Sequence, residues 1–158
     1  LIDLGYDDVI DGQVSPSNID TITDLNVGYK GILELTGIEA FTELTILRCD
    51  GNLLTSLDVS NNTALTGLGC WYNQLTSLDV SQNTALTYLN CEYNQLECLN
   101  IQNGNNINFT GFAASNNPNL NCVEVDDPAY ATVSIYFANS VDPGTTFSTN
   151  CNYPAGCF

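Results

Sequence analysis

The sequence contains no histidine and no methionine, and its 18 acidic residues face only Lys30 and Arg48, for a formal net charge of -16. That balance argues against nucleic acid and anionic membrane surfaces as partners, because both are held by clustered lysines and arginines. Cationic partners or bound cations fit better. Without histidine the commonest acid-base group at neutral pH is missing, and no glycine-rich phosphate loop or Ser or Cys with an evident base takes its place. Adjacent carboxylates, Asp7-Asp8 and Asp126-Asp127, seldom converge on one substrate from a loop, so the chain is not expected to be an enzyme. No apolar run is long enough to cross a bilayer, and membrane insertion is not expected.

What the chain has is repetition. The phrase Leu-Thr-x-Leu-x-Cys-x-x-Asn-x-Leu begins at Leu44, Leu65 and Leu86, each start 21 residues after the last. A period of that size belongs to a solenoid, in which each turn is one structural unit and its neighbours complete the core. The length suits one domain, read as an N-terminal cap at 1–18, repeats at 19–125 and a C-terminal cap at 126–158. Caps are needed because an end turn would otherwise leave its apolar cross-section in water.

Within each turn an alternating strand points Leu47 and Cys49, Leu68 and Cys70, or Leu89 and Cys91 inward. Ile22, Leu25 and Val27 take the same places in an earlier turn. There Ile32, Leu35, Ile38 and Phe41 recur at threes, the mark of a 3-10-like return. After Ile101 the phrase loosens through Gln102-Asn103-Gly104-Asn105-Asn106 and resumes two residues late at Phe109, Phe112 and Ala114. Tyr130, Ile135, Phe137 and Phe147 are expected to cover the C-terminal end.

Asn52, Asn73, Asn94 and Asn117 fall where the chain leaves the strand. An inward amide at that point satisfies backbone groups of its own turn and the next, so these side chains are read as a structural ladder rather than ligand contacts. Asn62 and Asn83 do similar work on the other bend. Cys49, Cys70 and Cys91 form a buried row on adjacent strands, about 4.8 Å apart. A straight line of thiols is not a tetrahedral cage, which excludes zinc and leaves free, apolar-like cysteines. The remaining Cys98, Cys122, Cys151 and Cys157 stand outside the row and are read as disulfide-bonded; four cysteines allow three connectivities.

The positions between the inward residues face outward from the sheet. They gather Tyr29, Arg48, Asp50, Trp71, Tyr72, Tyr88, Asn90, Glu92 and Tyr93, and so include the chain's single tryptophan. Gly67 and Gly69 remove side chains between Arg48 on one flank and Tyr88 and Asn90 on the other, which leaves a hollow beside Trp71. Exposed aromatic planes beside amides and carboxylates suit a protein hot spot and equally suit sugar rings. Aromatics also favour strands and pack across them with no ligand at all. No cofactor is assigned. Calcium has candidates in Asp7 and Asp11 of Asp7-Asp8-Val9-Ile10-Asp11-Gly12, where Val9 occupies a ligand position and no downstream acid is in phase.

The recurring phrase, continued as Leu-Thr-Ser-Leu-Asp-Val-Ser-x-Asn-Thr-Ala, resembles the leucine-rich repeat. Its 21-residue form is similar to that of secreted bacterial members of the Bacteroidetes type, and the Ile32-to-Leu44 turn is similar to internalin repeats. The resemblance covers residues 19–125. It implies an α/β-type right-handed solenoid with a parallel β-sheet on the concave face and mostly loop or 3-10 structure on the convex face. It implies recognition rather than catalysis, at the cell surface or outside the cell, with a protein or glycan ligand on the concave face or a spacer role, and a monomer is expected. It also implies a bridge from Cys122 to Cys151, because the segment ending Phe-Ser-Thr-Asn-Cys is similar to the close of such repeat proteins; Cys98 and Cys157 are then left as a pair. A bridge across that loop contributes roughly 3 kcal/mol by restricting the unfolded chain.

Overall fold

The computed structural model describes residues 19–134 and 136–158. The expected N-terminal cap, the calcium candidates Asp7 and Asp11, and Ile135 lie outside the described residues. The chain coils as a solenoid of short parallel strands. They are β1 (Asp24–Asn26), β2 (Ile46–Arg48), β3 (Gly67–Gly69), β4 (Ser77–Asp79), β5 (Tyr88–Asn90), β6 (Cys98–Asn100), β7 (Gly111–Ala113), β8 (Cys122–Glu124) and β9 (Thr146–Ser148), and a short helix, α1 (Pro128–Val133), lies near the C-terminal end.

Two parallel sheets result, one in the order β1-β2-β3-β5-β7 and the other in the order β4-β6-β8-β9. The first follows the phase of the repeat, with Leu25, Leu47, Leu68, Leu89 and Phe112 in register down the stack. Every one is buried. The two extra residues before β7 are taken up by a 3-10 turn at Asn106–Asn108, so that Tyr88 still pairs with Gly111 and the inward column is unbroken. Each strand is only three residues long because the chain must turn again to bury the opposite side of the same apolar strip.

The second sheet adds to the sequence-based picture. The return side carries the expected 3-10 turn in the early turn, Ile38–Ala40. Further along, the alternating Ser77-Leu78-Asp79 and Cys98-Leu99-Asn100 segments pair in register as strands rather than loops. Two adjacent turns of matching phase supply each other's ladder bonds, whereas the 3-10 return offers no extended neighbour. Asp58 and Asp79 end such segments by accepting the backbone N–H of Ser60 and Ser81.

The core runs without a break from Ile19 to Phe137. At its C-terminal end Phe109, Phe112 and Phe137 pack on one another, with Phe112 and Phe137 stacked at 4.8 Å. Asp127 starts α1 by accepting the backbone N–H groups of Ala129 and Tyr130. Asp126 accepts from Gly104 and Asn106, so both adjacent carboxylates are occupied with backbone. Cys122 is bonded to Cys151 and Cys98 to Cys157, each pair with Cα atoms 5.8 Å apart. Between these bridges the Tyr153 hydroxyl donates to the Leu99 and Cys122 carbonyls, which fixes the tail against the second sheet.

The asparagine side chains lie in the core and work in series. Asn73 donates to the carbonyls of Cys49 and Cys70, both at 3.0 Å, and its Oδ1 accepts the Leu54 N–H. Asn94 does the same for Cys70, Cys91 and Leu75, and Asn117 for Cys91, Ala114 and Leu96. Asn52 opens the series on Val27 and Cys49 and accepts from Lys30 and Ile32. On the other bend Asn62 donates to Ile38 and Phe41, and Asn83 to Val59 and Asn62.

Cys49, Cys70 and Cys91 are free and buried beside this ladder. Burial pushes the Cys49 thiol up to about 12, with the Asp50 carboxylate adding to it, and pushes Cys70 and Cys91 well above the ordinary thiol range. Thiolates are the reactive form, so the row is inert.

Two outcomes follow from this packing. Asn73→Asp turns two donors into acceptors facing carbonyls, and it is expected to cost about 3 kcal/mol or more in denaturant unfolding, while Gln74→Ala on the exposed side stays within about 0.5 kcal/mol. A thiol reagent at pH 8 is expected to modify none of Cys49, Cys70 and Cys91 in the folded protein and all of them after unreduced unfolding, read by intact mass.

Candidate functional site

The outward positions of the first sheet fall into columns fixed by the strand register. One column runs Asp24, Ile46, Gly67, Tyr88, Gly111 and the next Asn26, Arg48, Gly69, Asn90, Ala113. Just beyond the strands the chain turns at Tyr29, Gly51, Tyr72, Tyr93 and Asn116, all with φ between 52° and 64°. A left-handed backbone at one phase of every turn is a feature that sequence reasoning missed. Its signal was present in Gly51 and Asn116, the residue types that tolerate this conformation, standing in phase with three tyrosines.

That backbone conformation decides where the aromatic rings go. Tyr72 and Tyr93, one turn apart, stack face to face with centroids 4.2 Å apart and planes 8° from parallel. Trp71 lies 5.0 Å from Tyr72 and meets Tyr29 edge-on at 6.1 Å. The Tyr29 ring covers Gly51, where any Cβ would overlap it. Glycine at that turn lets Tyr29 reach across to Trp71, two turns away. The result is a continuous aromatic series in which Tyr29, Tyr72 and Tyr93 remain exposed and Trp71 is half-buried. Partial desolvation, with Tyr93 alongside, raises the Tyr72 phenol above its ordinary range.

Tyr88 stands apart from that series. A Cβ at Gly111 would lie 2.8 Å from its ring, so Tyr88 leans over Gly111, away from Gly67. A hollow of about 440 Å³ is left over Gly67 and Gly69, walled by Ile46, Arg48, Asp50, Trp71, Tyr88 and Asn90. Its size falls within the range of small-ligand sites.

The polar groups around it have separate duties. Arg48 is drawn to Asp24 on β1, at 2.7 Å, on the side of β2 opposite Gly69. Both members of that pair are close to half exposed, so the contact orients the guanidinium without adding much stability. Asn90 accepts the Glu92 N–H and so closes the turn after β5. Glu92 accepts the Ser115 hydroxyl one turn further on. Asp50 lies between Gly28 and Gly69, with carboxylate oxygens 3.1 Å and 3.6 Å from where their Cβ atoms would stand.

The structure therefore brings Arg48, Asp50, Trp71, Tyr88 and Asn90 to one hollow and strings Tyr29, Tyr72 and Tyr93 along its Trp71 side. Glu92 sits beyond Trp71 in the column after the strands, turned to Ser115. Asn52, Asn73, Asn94 and Asn117 are behind the sheet, in the core. Among the described residues no three His, Cys, Asp or Glu side chains gather as a metal centre, and no helix is long and apolar enough to cross a membrane.

Internalin J of Listeria monocytogenes serotype 4b (strain F2365) is 42% identical to this chain over 50 residues, 32% of the chain and 6% of that protein. The solved functional domain of InlJ from Listeria monocytogenes, described as including a cysteine ladder, superposes with a TM-score of 0.57 at 32% identity, over 71% of this chain and 32% of that one. An internalin (inlF) from Listeria monocytogenes str. 4b F2365 follows with a TM-score of 0.52 and 26% identity, over 71% of this chain and 37% of that one. The chain thus spans about a third of the solved structures and a small part of the full relative. No family model matches the chain.

The geometry makes Gly51 a test of the aromatic series. Gly51→Ala is expected to cost about 1 kcal/mol through its left-handed backbone and to push Tyr29 off Trp71. The emission of the single tryptophan should shift in this variant and stay unchanged in Gly31→Ala, where a Cβ meets nothing.

Proposed function

We propose that this chain, a leucine-rich-repeat solenoid homologous to internalins J and F, is a non-catalytic recognition module that binds a protein partner through the concave outer face of its first sheet, centred on Trp71. One observation carries the reading: the only tryptophan and the exposed Tyr29, Tyr72 and Tyr93 form a continuous contact series along that face. Large aromatic side chains that stay half exposed in the free protein are the anchors that dominate protein interfaces. Tyr72 is 48% and Tyr29 65% exposed, so much of each ring is still available to a partner.

The support scaffold is rigid, which suits recognition. Each ring is held at a turn whose backbone is fixed from behind by the asparagine ladder, so binding orders little that is not ordered already. The two disulfides fit an oxidising compartment, outside the cell or on its surface.

The reading is tested by crosslinked capture from the surface of candidate partner cells. Trp71→Ala and Tyr72→Ala are each expected to lower capture of a defined protein at least tenfold, with Asp79→Ala on the second sheet as the unaffected control. Capture that survives both aromatic substitutions would overturn the reading. Glycan-array binding that is lost in Trp71→Ala and kept in Asp79→Ala, with no protein captured, would transfer the face to a carbohydrate ligand.

A further inference from the structure

The hollow over Gly67 and Gly69 has a charge that its own side chains leave unbalanced. Arg48, the sole arginine, is turned to Asp24 on the far side of its strand. Asp50 accepts no side-chain hydrogen bond from any of the described residues, although it stands at the edge of the hollow beside Trp71. The Glu92 carboxylate lies next in the same column, beyond Trp71, and its one partner is the uncharged Ser115 hydroxyl. An indole beside a carboxylate attracts cations, through the negative face of the ring and through direct pairing. The whole chain adds a field of the same sign, at a net charge of -16.

We infer that this hollow is the specificity pocket of the recognition face and takes a lysine or arginine side chain of the protein partner, its cationic head on Asp50 against Trp71 and its aliphatic stem along Ile46 and Tyr88. The inference rests on the reading of that face as a protein-binding surface. The shape supports it as well as the charge: Gly67 and Gly69 give a floor of bare backbone on which a long unbranched stem can lie. Long basic side chains bury such a stem while keeping the charged head near a carboxylate. An acidic or neutral side chain in the same place would leave Asp50 unpaired.

The full chain is titrated with acetyl-Gly-Gly-Lys-Gly-Gly-amide, followed by the fluorescence of Trp71, the only tryptophan. Saturable binding with a Kd on the order of 1–10 mM is expected for a single side chain, with the glutamine and glutamate versions of the peptide at least about tenfold weaker. Asp50→Asn, which keeps shape and removes charge, should weaken the lysine peptide about tenfold with an unchanged melting temperature. Asp79→Asn should change nothing. No response to the lysine peptide, an equal response to all versions, or full affinity in Asp50→Asn would overturn the inference. Partner capture that depends on Trp71 and is indifferent to Asp50→Asn removes the inference and leaves the recognition reading, whereas capture indifferent to both removes the recognition reading itself.

Discussion

Everything in this fold depends on one hydrogen-bonding problem at the exit of each strand. A solenoid turns every few residues, and each turn leaves backbone carbonyls and an N–H facing the core with no ladder partner. Asn73 resolves it with one side chain: two donors reach the carbonyls of Cys49 and Cys70, and one acceptor takes the Leu54 N–H. A buried polar group without a partner costs about 1–3 kcal/mol, so a rung left empty costs a large share of the 5–15 kcal/mol that holds an ordinary domain together. Asn52, Asn94 and Asn117 repeat the solution, and because each rung ties its own turn to its neighbour, the stack is locked as a series rather than as separate loops. The cysteines beside the ladder are small enough to leave it room and, with burial holding them protonated, add no charge to it.

The same constraint shapes the outer surface. An asparagine that folds back onto the carbonyl three residues earlier requires the residue before it to adopt a left-handed backbone. That residue's side chain is thrown sideways along the stack instead of straight out. Before Asn73 and Asn94 it is a tyrosine, and Tyr72 and Tyr93 stack because their backbones repeat one conformation one turn apart; Tyr29 adopts the same conformation before Lys30. In the turn between Tyr29 and Tyr72 it is Gly51, and the gap lets Tyr29 lie down toward Trp71. Core satisfaction and the arrangement of the aromatic face are thus one geometric fact seen from two sides.

This explains how much could be read from the sequence. The phase of Leu44, Cys49 and Asn52 and their equivalents dictates which positions are inside, since a one-residue slip would put asparagine in water and leucine on the surface. The outward set, including Trp71, Tyr88 and Asp50, follows by exclusion. Which of those side chains meet does not follow. The Arg48 guanidinium pairs with Asp24 although the residue walls the hollow, and Tyr88 leans over Gly111 rather than Gly67. Such choices are between rotamers about a kcal/mol apart, settled by a missing Cβ in a neighbouring turn, and no periodicity encodes them. The second sheet was hidden for a related reason: Ser77-Leu78-Asp79 is strand-like on its own, but it becomes a strand only where the adjacent turn matches its phase.

Regularity finally bears on where charge can be concentrated. In a stack of like turns the strand spacing is about 4.8 Å, shorter than the Debye length of about 8 Å at physiological ionic strength, so carboxylates on successive turns feel one another with little screening. Most columns avoid this cost by placing uncharged residues at the same phase, and the column that holds Asp50 and Glu92 does so by interposing Trp71. The turn that carries the indole stands between them, so that Asp50 lines the hollow with Trp71 and Glu92, two turns from Asp50, is turned to Ser115. Arg48, the one guanidinium within reach, is engaged by Asp24 on the far side of its strand. The column that holds Asp50 therefore carries little self-repulsion, with about two strand spacings between its carboxylates, while the nearby guanidinium is engaged by Asp24. Its electrostatic energy falls most when a cation arrives from outside.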